Sequence, residues 1–177
     1  MEIILIRHTT PDVEKGICYG QADIRVKETF LQEADAVLPL LPRDATVIYT
    51  SPLSRCVRLA EHLARSRRLP VVRDDRLKEL NFGAWELQSW DSIDRAVLQP
   101  WMDNYVDTAC PGGESYRQLA TRAADFLNAL RTDAHKNALI VTHHGVIKAI
   151  SAHLLGISLE DAMSMTFGYG SVTRYSV

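Results

Sequence analysis

The stretch IILIRHTTPD, residues 3–12, decides the fold. Four aliphatic residues run straight into Arg7 and His8, where turn residues would be expected. A short continuous apolar run reads as a strand buried on both faces, the kind found in parallel sheets. In open parallel sheets ligands bind beyond the carboxyl ends of the strands, so this run delivers a guanidinium and an imidazole to that edge.

Working outward, three further apolar runs follow: TVIYT (46–50), PVV (70–72) and ALIVT (138–142), with helical patterns between them. Strands that alternate with helices imply parallel pairing and a layered α/β fold. A helix is expected from Val26 to Leu41, ending before Pro42. Another is expected from Pro52, with Ser51 as its N-cap, because Leu53, Cys56, Val57, Ala60, Leu63 and Ala64 keep the spacing of one helical face. Ser115-Tyr116-Arg117-Gln118 has the form of a capping box ahead of an apolar stripe from Leu119 to Leu130. Val146 to Leu155 forms a last stripe, stopped by Gly156. Residues 163–168 and 172–176 are expected to make a final hairpin, and 73–113 a long irregular stretch of the kind that usually carries function.

A chain of 177 residues suits a single domain over 1–177, and 46% hydrophobic with 24% charged residues is ordinary for a globular protein. No apolar run reaches the ~20 residues that span a bilayer, and the amino terminus lacks the pattern of a secretory signal, which predicts a cytoplasmic protein without membrane contact. A net charge of −2 offers no field for nucleic acid, and the basic group Arg65, Arg67 and Arg68 falls where cations complement a helix C-terminus. Cys18, Cys56 and Cys110 are odd in number and widely spaced, as reduced structural thiols would be.

The chemistry collects at the predicted sheet edge. The first strand brings Arg7 and His8, the second is followed by SPLSR with Arg55, and the fourth brings His143. Two arginines and two histidines converging from distant segments suit a phosphate or another tetrahedral anion, because a guanidinium presents paired donors and keeps its charge. The same fixed positive charges would repel a divalent cation, so neither a metal nor a cofactor is expected. His62, His135 and His153, on predicted helices or in a polar turn, read as structural or solvated.

The segments LIRHTTP, SPLSRC, LKELNFGAWE and VTHHGVIK, in that order across residues 3–148, resemble the signature segments of the histidine phosphatase superfamily, the phosphoglycerate mutase-like group. That resemblance implies a three-layer α/β/α sandwich around a mostly parallel sheet. It implies that His8 is the phosphorylated nucleophile, that Arg7, Arg55 and His143 bind the phosphate, and that Glu79 is the general acid. Thr9, Tyr19, Glu86, Glu114 and His144 are secondary candidates for substrate contact; for Glu86 a loop anchor, and for Ser115 a plain cap, are the stronger readings. The chain departs from the family pattern at Thr9-Thr10-Pro11, at Glu14, whose charge would repel a phosphate unless it faces away, at Cys56 and Leu59, and at Leu87, where relatives carry glycine.

Family members of this kind act on small phosphate monoesters. The segments CYGQADIRV, FGAWELQSWDSID and CPGGESY are similar to those of bacterial α-ribazole phosphatases of cobalamin assembly, which implies that substrate; a broad phosphatase, a mutase and a phosphate-binding protein without turnover are the alternatives. Tyr19, Phe82, Trp85, Trp90, Trp101 and Tyr116 offer faces for a flat ring, or else anchor loops on the core. The sequence sets no oligomeric state.

Overall fold

The computed structural model describes residues 2–132 and 137–176. Its centre is one five-stranded sheet of β1 (Glu2–Arg7), β2 (Val47–Thr50), β3 (Val71–Arg73), β4 (Asn137–Thr142) and β5 (Val172–Ser176). The strand order is β3-β2-β4-β1-β5, parallel throughout except for β5, which runs antiparallel to β1 along the edge. The neighbour of β1 inside the sheet is β4, so Arg7 and Thr142 stand in register and the following residues, His8 and His143, share the rim.

Alternation sorts the strands into two faces. Ile3, Leu5, Val47, Tyr49, Ala138 and Ile140 pack with Leu119, Phe126, Ile147 and Ile150 of α4 (Tyr116–Arg131) and α5 (His144–Leu155). Ile4, Ile6, Ile48, Leu139 and Val141 pack with Phe30 of α1 (Phe30–Val37) and with Leu59 and Leu63 of α2 (Ser54–Arg67). Both faces of the central strands are dry, and three layers result. A third, smaller cluster of Cys18, Trp85, Ile93 and Cys110 sits under the irregular stretch. Three thiols, Cys18, Cys56 and Cys110, are free and buried. Among the described residues no helix is long and apolar enough to cross a membrane.

Several expectations are corrected. The first helix begins at Phe30, not Val26, and gives way at Leu38 to a 3-10 turn, because Val26 is taken by an antiparallel bridge to Pro11. The second begins at Ser54 behind Leu53, and Ser51 does not cap it: its hydroxyl meets His143 Nε2 and accepts the N–H of Leu53 at 3.4 Å, ahead of the helix. No strand forms over 163–168, so β5 pairs with β1 in place of a hairpin. The stretch 73–113 is not wholly irregular: it holds α3 (Arg95–Asp103), with Asp94 as its cap and Pro100 inside it. A short α6 (Leu159–Ala162) follows α5. The capping box at Ser115 and Gln118 forms with both of its hydrogen bonds. His135 lies outside the described residues.

Candidate active site

Sheet register places the first pair of side chains. His8 and His143 are buried at the ends of β1 and β4, with ring centroids 5.2 Å apart and planes inclined by 63°. The main-chain N–H of His8 donates to Thr142 O at 3.0 Å, which ties the two strand ends together. Nδ1 of His8 donates to Thr9 O at 2.7 Å, and that bond leaves Nε2 unprotonated with its lone pair outward. Burial, then the charge of Arg55, push the His8 pKa down to about 3, so the imidazole is neutral at physiological pH. His143 is lowered as well, by burial, Arg55 and His8, and its Nε2 lies 2.8 Å from Ser51 Oγ. The Sγ of Cys56 is 3.4 Å from the same nitrogen.

The arginines flank this pair. Arg55, in the first turn of α2, is fully buried and donates through Nη1 to Ala22 O (2.8 Å) and Nη2 to Gly20 O (2.5 Å). Arg7 donates through Nη1 to Phe167 O at 2.6 Å. Nε of Arg7, Nε of Arg55 and Oγ1 of Thr9 are buried and have no partner. Donors in that state carry a desolvation cost that an oxyanion offering lone pairs would relieve. Glu14 is exposed, consistent with a carboxylate turned away from these charges.

Glu79 comes from the loop after β3. Its carboxylate accepts the N–H of Leu80 at 3.0 Å and that of Gly145, in the first turn of α5, at 3.1 Å. A Cβ at position 145 would collide with Glu79 Oε1, so only glycine allows this approach. Arg122 of α4 fixes the loop by donating to the carbonyls of Arg76, Lys78 and Glu79. No sequence signal marked Arg122, because its role depends on α4 lying against that loop.

A cavity of about 480 Å³ takes in part of this set; Arg55 and His143 lie behind it and are not among its lining residues. Arg7, His8, Glu79, Tyr19 and His144 reach it, and Phe82, Trp90, Trp101, Met102, Tyr105 and Tyr116 form an apolar wall opposite. Trp90 and Trp101 stack at 6.0 Å and 20°. Trp85 instead is buried against Trp101 and does not line the space. His144 is held neutral, its pKa pushed down to about 4 by burial and Arg7. Lys148, unmarked in the sequence, also lines the cavity, and its ammonium donates to Met163 O at 2.7 Å.

Two of the secondary candidates hold loops: Glu86 is the loop anchor that its sequence context favoured, and Glu114 is turned away from the cavity entrance. The Glu86 carboxylate accepts four main-chain N–H groups, those of Gly20, Gln21, Ala22 and Phe82, at 2.9–3.0 Å. Glu114 pairs with Arg122 at 2.6 Å and accepts the N–H of Asn81. Neither side chain lines the cavity, since both are committed to holding loops. Thr9 is buried beneath His8 and Thr10 Oγ1 donates to Glu33. His62 of α2 bonds Asp35 of α1 within their shared layer.

Comparison with known proteins gives one family, with phosphatases and phosphoglycerate mutases among the relatives. The histidine phosphatase superfamily (branch 1) model matches residues 3–177. Phosphoserine phosphatase 1 of Hydrogenobacter thermophilus is 27% identical over 183 residues, which cover 100% of this chain and 85% of that protein. Adenosylcobalamin/alpha-ribazole phosphatase of Escherichia coli is 26% identical over 167 residues, 90% of this chain and 82% of that one. Among solved structures, mycobacterial glucosyl-3-phosphoglycerate phosphatase superposes with a TM-score of 0.87 at 25% identity, over 98% of this chain and 88% of that one.

Proposed function

Since the chain belongs to the histidine phosphatase superfamily, we propose that it is a phosphomonoesterase working through a phosphohistidine on His8. The observation that carries this reading is the rim itself: two neutral imidazoles 5.2 Å apart, two arginines beside them, and a carboxylate in the same cavity. In the first step the lone pair of His8 Nε2 forms a P–N bond as the ester P–O bond breaks, and the departing oxygen takes the proton that Glu79 acquires from water in the second step of the preceding turnover. Arg7, Arg55 and His143 stabilise the charge spread over the equatorial oxygens. In the second step water attacks phosphorus, Glu79 takes its proton, and the P–N bond breaks to release phosphate and restore the neutral imidazole. All of this rests on side chains of the chain itself.

The leaving group we assign to the aromatic wall. Its rings suit a flat apolar ring, and with the alpha-ribazole phosphatase relative this favours α-ribazole 5′-phosphate as substrate. Lys148 favours a second reading, because an ammonium in the cavity could hold the carboxylate of a phosphoserine or phosphoglycerate ester. Steady-state kcat/KM across α-ribazole 5′-phosphate, phosphoserine, sugar phosphates and phosphoglycerates separates the two. A preference for the ring ester below about tenfold, equivalent to about 1.4 kcal/mol of transition-state discrimination, defeats the ribazole assignment. Transfer of phosphate between phosphoglycerates, in place of release to water, would make the protein a mutase.

A further inference from the structure

From the loops that meet above the phosphate rim, we infer that Tyr169 and Tyr19 form a strap that sets the position of Arg7 and Arg55. The inference rests on the anion site proposed above and concerns what holds its two guanidinium groups in place.

Tyr169 lies in the loop before β5. Its ring stands 3.9 Å from Arg7 Cζ and 5.6 Å from the ring of His8. The same loop grips the end of β1 from three other directions. Phe167 O accepts Arg7 Nη1 at 2.6 Å, Ser171 O accepts the main-chain N–H of Arg7 at 3.1 Å, and Gly170 N donates to the carbonyls of Arg7 and His8 at 3.1 and 3.2 Å. Tyr19 belongs to the loop after β1, with its ring 5.5 Å from Arg55 Cζ, and Gly20 beside it supplies the carbonyl that Arg55 Nη2 binds. The two phenols share a hydrogen bond of 2.9 Å, linking residues 150 apart in sequence.

Each arginine therefore has an aromatic face as its neighbour where an acid might have stood. The choice has a physical consequence. A carboxylate would neutralise the guanidinium and compete for the N–H groups that must reach the phosphate. A ring face attracts the cation without consuming any N–H, and here Nε of both arginines stays without a partner while carbonyls take only some of the remaining N–H groups. Linking the two rings through their hydroxyls then couples the spacing of one cation to the other. Tyr169 and Tyr19 are positioning residues, acting through the arginines, and the phenol of Tyr169 is exposed enough that its removal need not disturb the core.

The test is a cycle of Tyr19→Phe, Tyr169→Phe and the double variant, with Tyr169→Leu alongside. The readouts are inorganic phosphate binding by titration calorimetry and steady-state kinetics on an aryl phosphate, with thermal melts as the folding control. Each phenylalanine variant should weaken phosphate binding about threefold, and the double variant no more than about threefold, since all remove one shared bond. Tyr169→Leu, which also removes the ring face, should weaken it about tenfold, with Tyr169→Phe recovering most of that loss. The change should fall on KM more than on kcat. Additive single effects, about ninefold in the double variant, or phosphate binding unchanged in Tyr169→Leu, would overturn the strap. The binding arm needs no turnover: a wild-type chain that binds phosphate yet hydrolyses nothing defeats the phosphatase proposal and leaves the strap standing or falling on its own cycle.

Discussion

The rim of imidazoles and guanidiniums and the aromatic wall meet at one cavity, which Arg7 and His8 line and Arg55 and His143 back, and they are built on different physical terms. The rim consists of side chains at strand ends and at the first turn of a helix, with His8, His143 and Arg55 buried and fixed through main-chain bonds to the sheet or its loops. The wall takes Trp101 and Met102 from α3, a helix with no fully buried residue, and the contacts of Trp101 are ring upon ring. Register within a sheet with two dry faces is hard to change, since a shift of one residue would turn every apolar side chain to the wrong face. Packing among half-exposed rings can be altered at small cost. On the proposed function, the difference teaches that reaction chemistry and choice of ester would be separable, one carried by topology and the other by local packing.

The strongest attack on that division is His8→Ala. It should lower aryl phosphate hydrolysis by at least about 10³-fold, because the nucleophile acts as part of a unit, while the wall and the fold persist. Activity within tenfold of wild type would show that the rim does not carry the chemistry.

Acidification probes the rim through stability. His8, His143 and His144 all have pKa values lowered in the folded protein, the first to about 3 and the last to about 4. Below the ordinary histidine value of about 6.5 the unfolded chain binds protons that the folded chain refuses, so stability falls as pH falls. The loss begins near pH 6.5 and ends near pH 4 for His144 and pH 3 for His8, with a slope of up to about 1.4 kcal/mol per pH unit for the fully buried His8 and less for half-buried His144, whose charge solvent screens. Urea unfolding at steps from pH 7 to pH 4 measures it, and His144→Gln should remove one histidine's share. A stability flat across that range would mean these imidazoles are not held neutral.

Trp101→Ala sharpens the comparison from the other side. It should reduce kcat/KM for a ring-bearing ester by about tenfold and leave glycerol phosphate nearly unchanged. Equal losses on both esters would mean that the wall supports the rim and does not select the leaving group. The smallest effect belongs to Leu87, which holds a φ of +66° while its N–H donates to Cys18 O at 2.7 Å. Leu87→Gly should stabilise the fold by about 0.5 kcal/mol, relief of left-handed strain outweighing the added freedom of the unfolded chain. A lower melting temperature would show that the leucine side chain, not the backbone, matters there.

How much could be read from the sequence follows the same division. The four apolar runs found four strands, and the placement of polar residues after them anticipated that Arg7, His8, Arg55 and His143 would come together, because periodicity and position after a strand are local signals. The edges of helices were less legible. Val26 and Ser51 looked helical or capping by type, yet each has a partner far along the chain, Pro11 and His143. α3 escaped notice because Pro100 reads as a breaker and its apolar residues are only half covered. Tyr169, Lys148 and Arg122 gave no signal, since each matters through a neighbour that only the assembled layers supply. Leu87 shows a converse case: the residue departs from the family's glycine while the backbone keeps a conformation in the glycine region.

The carboxylate of Glu86 joins what the comparison divides. It grips residues 20–22, whose carbonyls hold Arg55, together with the amide of Phe82 on the wall. An engineer who wished to retarget the proposed phosphatase to a new ester should therefore treat position 86 as a fixed hinge pin and keep Tyr116, whose hydroxyl donates to Gly145 O beside Glu79: substitutions at Trp90, Trp101 and Met102 would spare the proposed catalytic half, whereas a library that randomises position 86 would loosen the Arg55 loop before any altered selectivity could be scored.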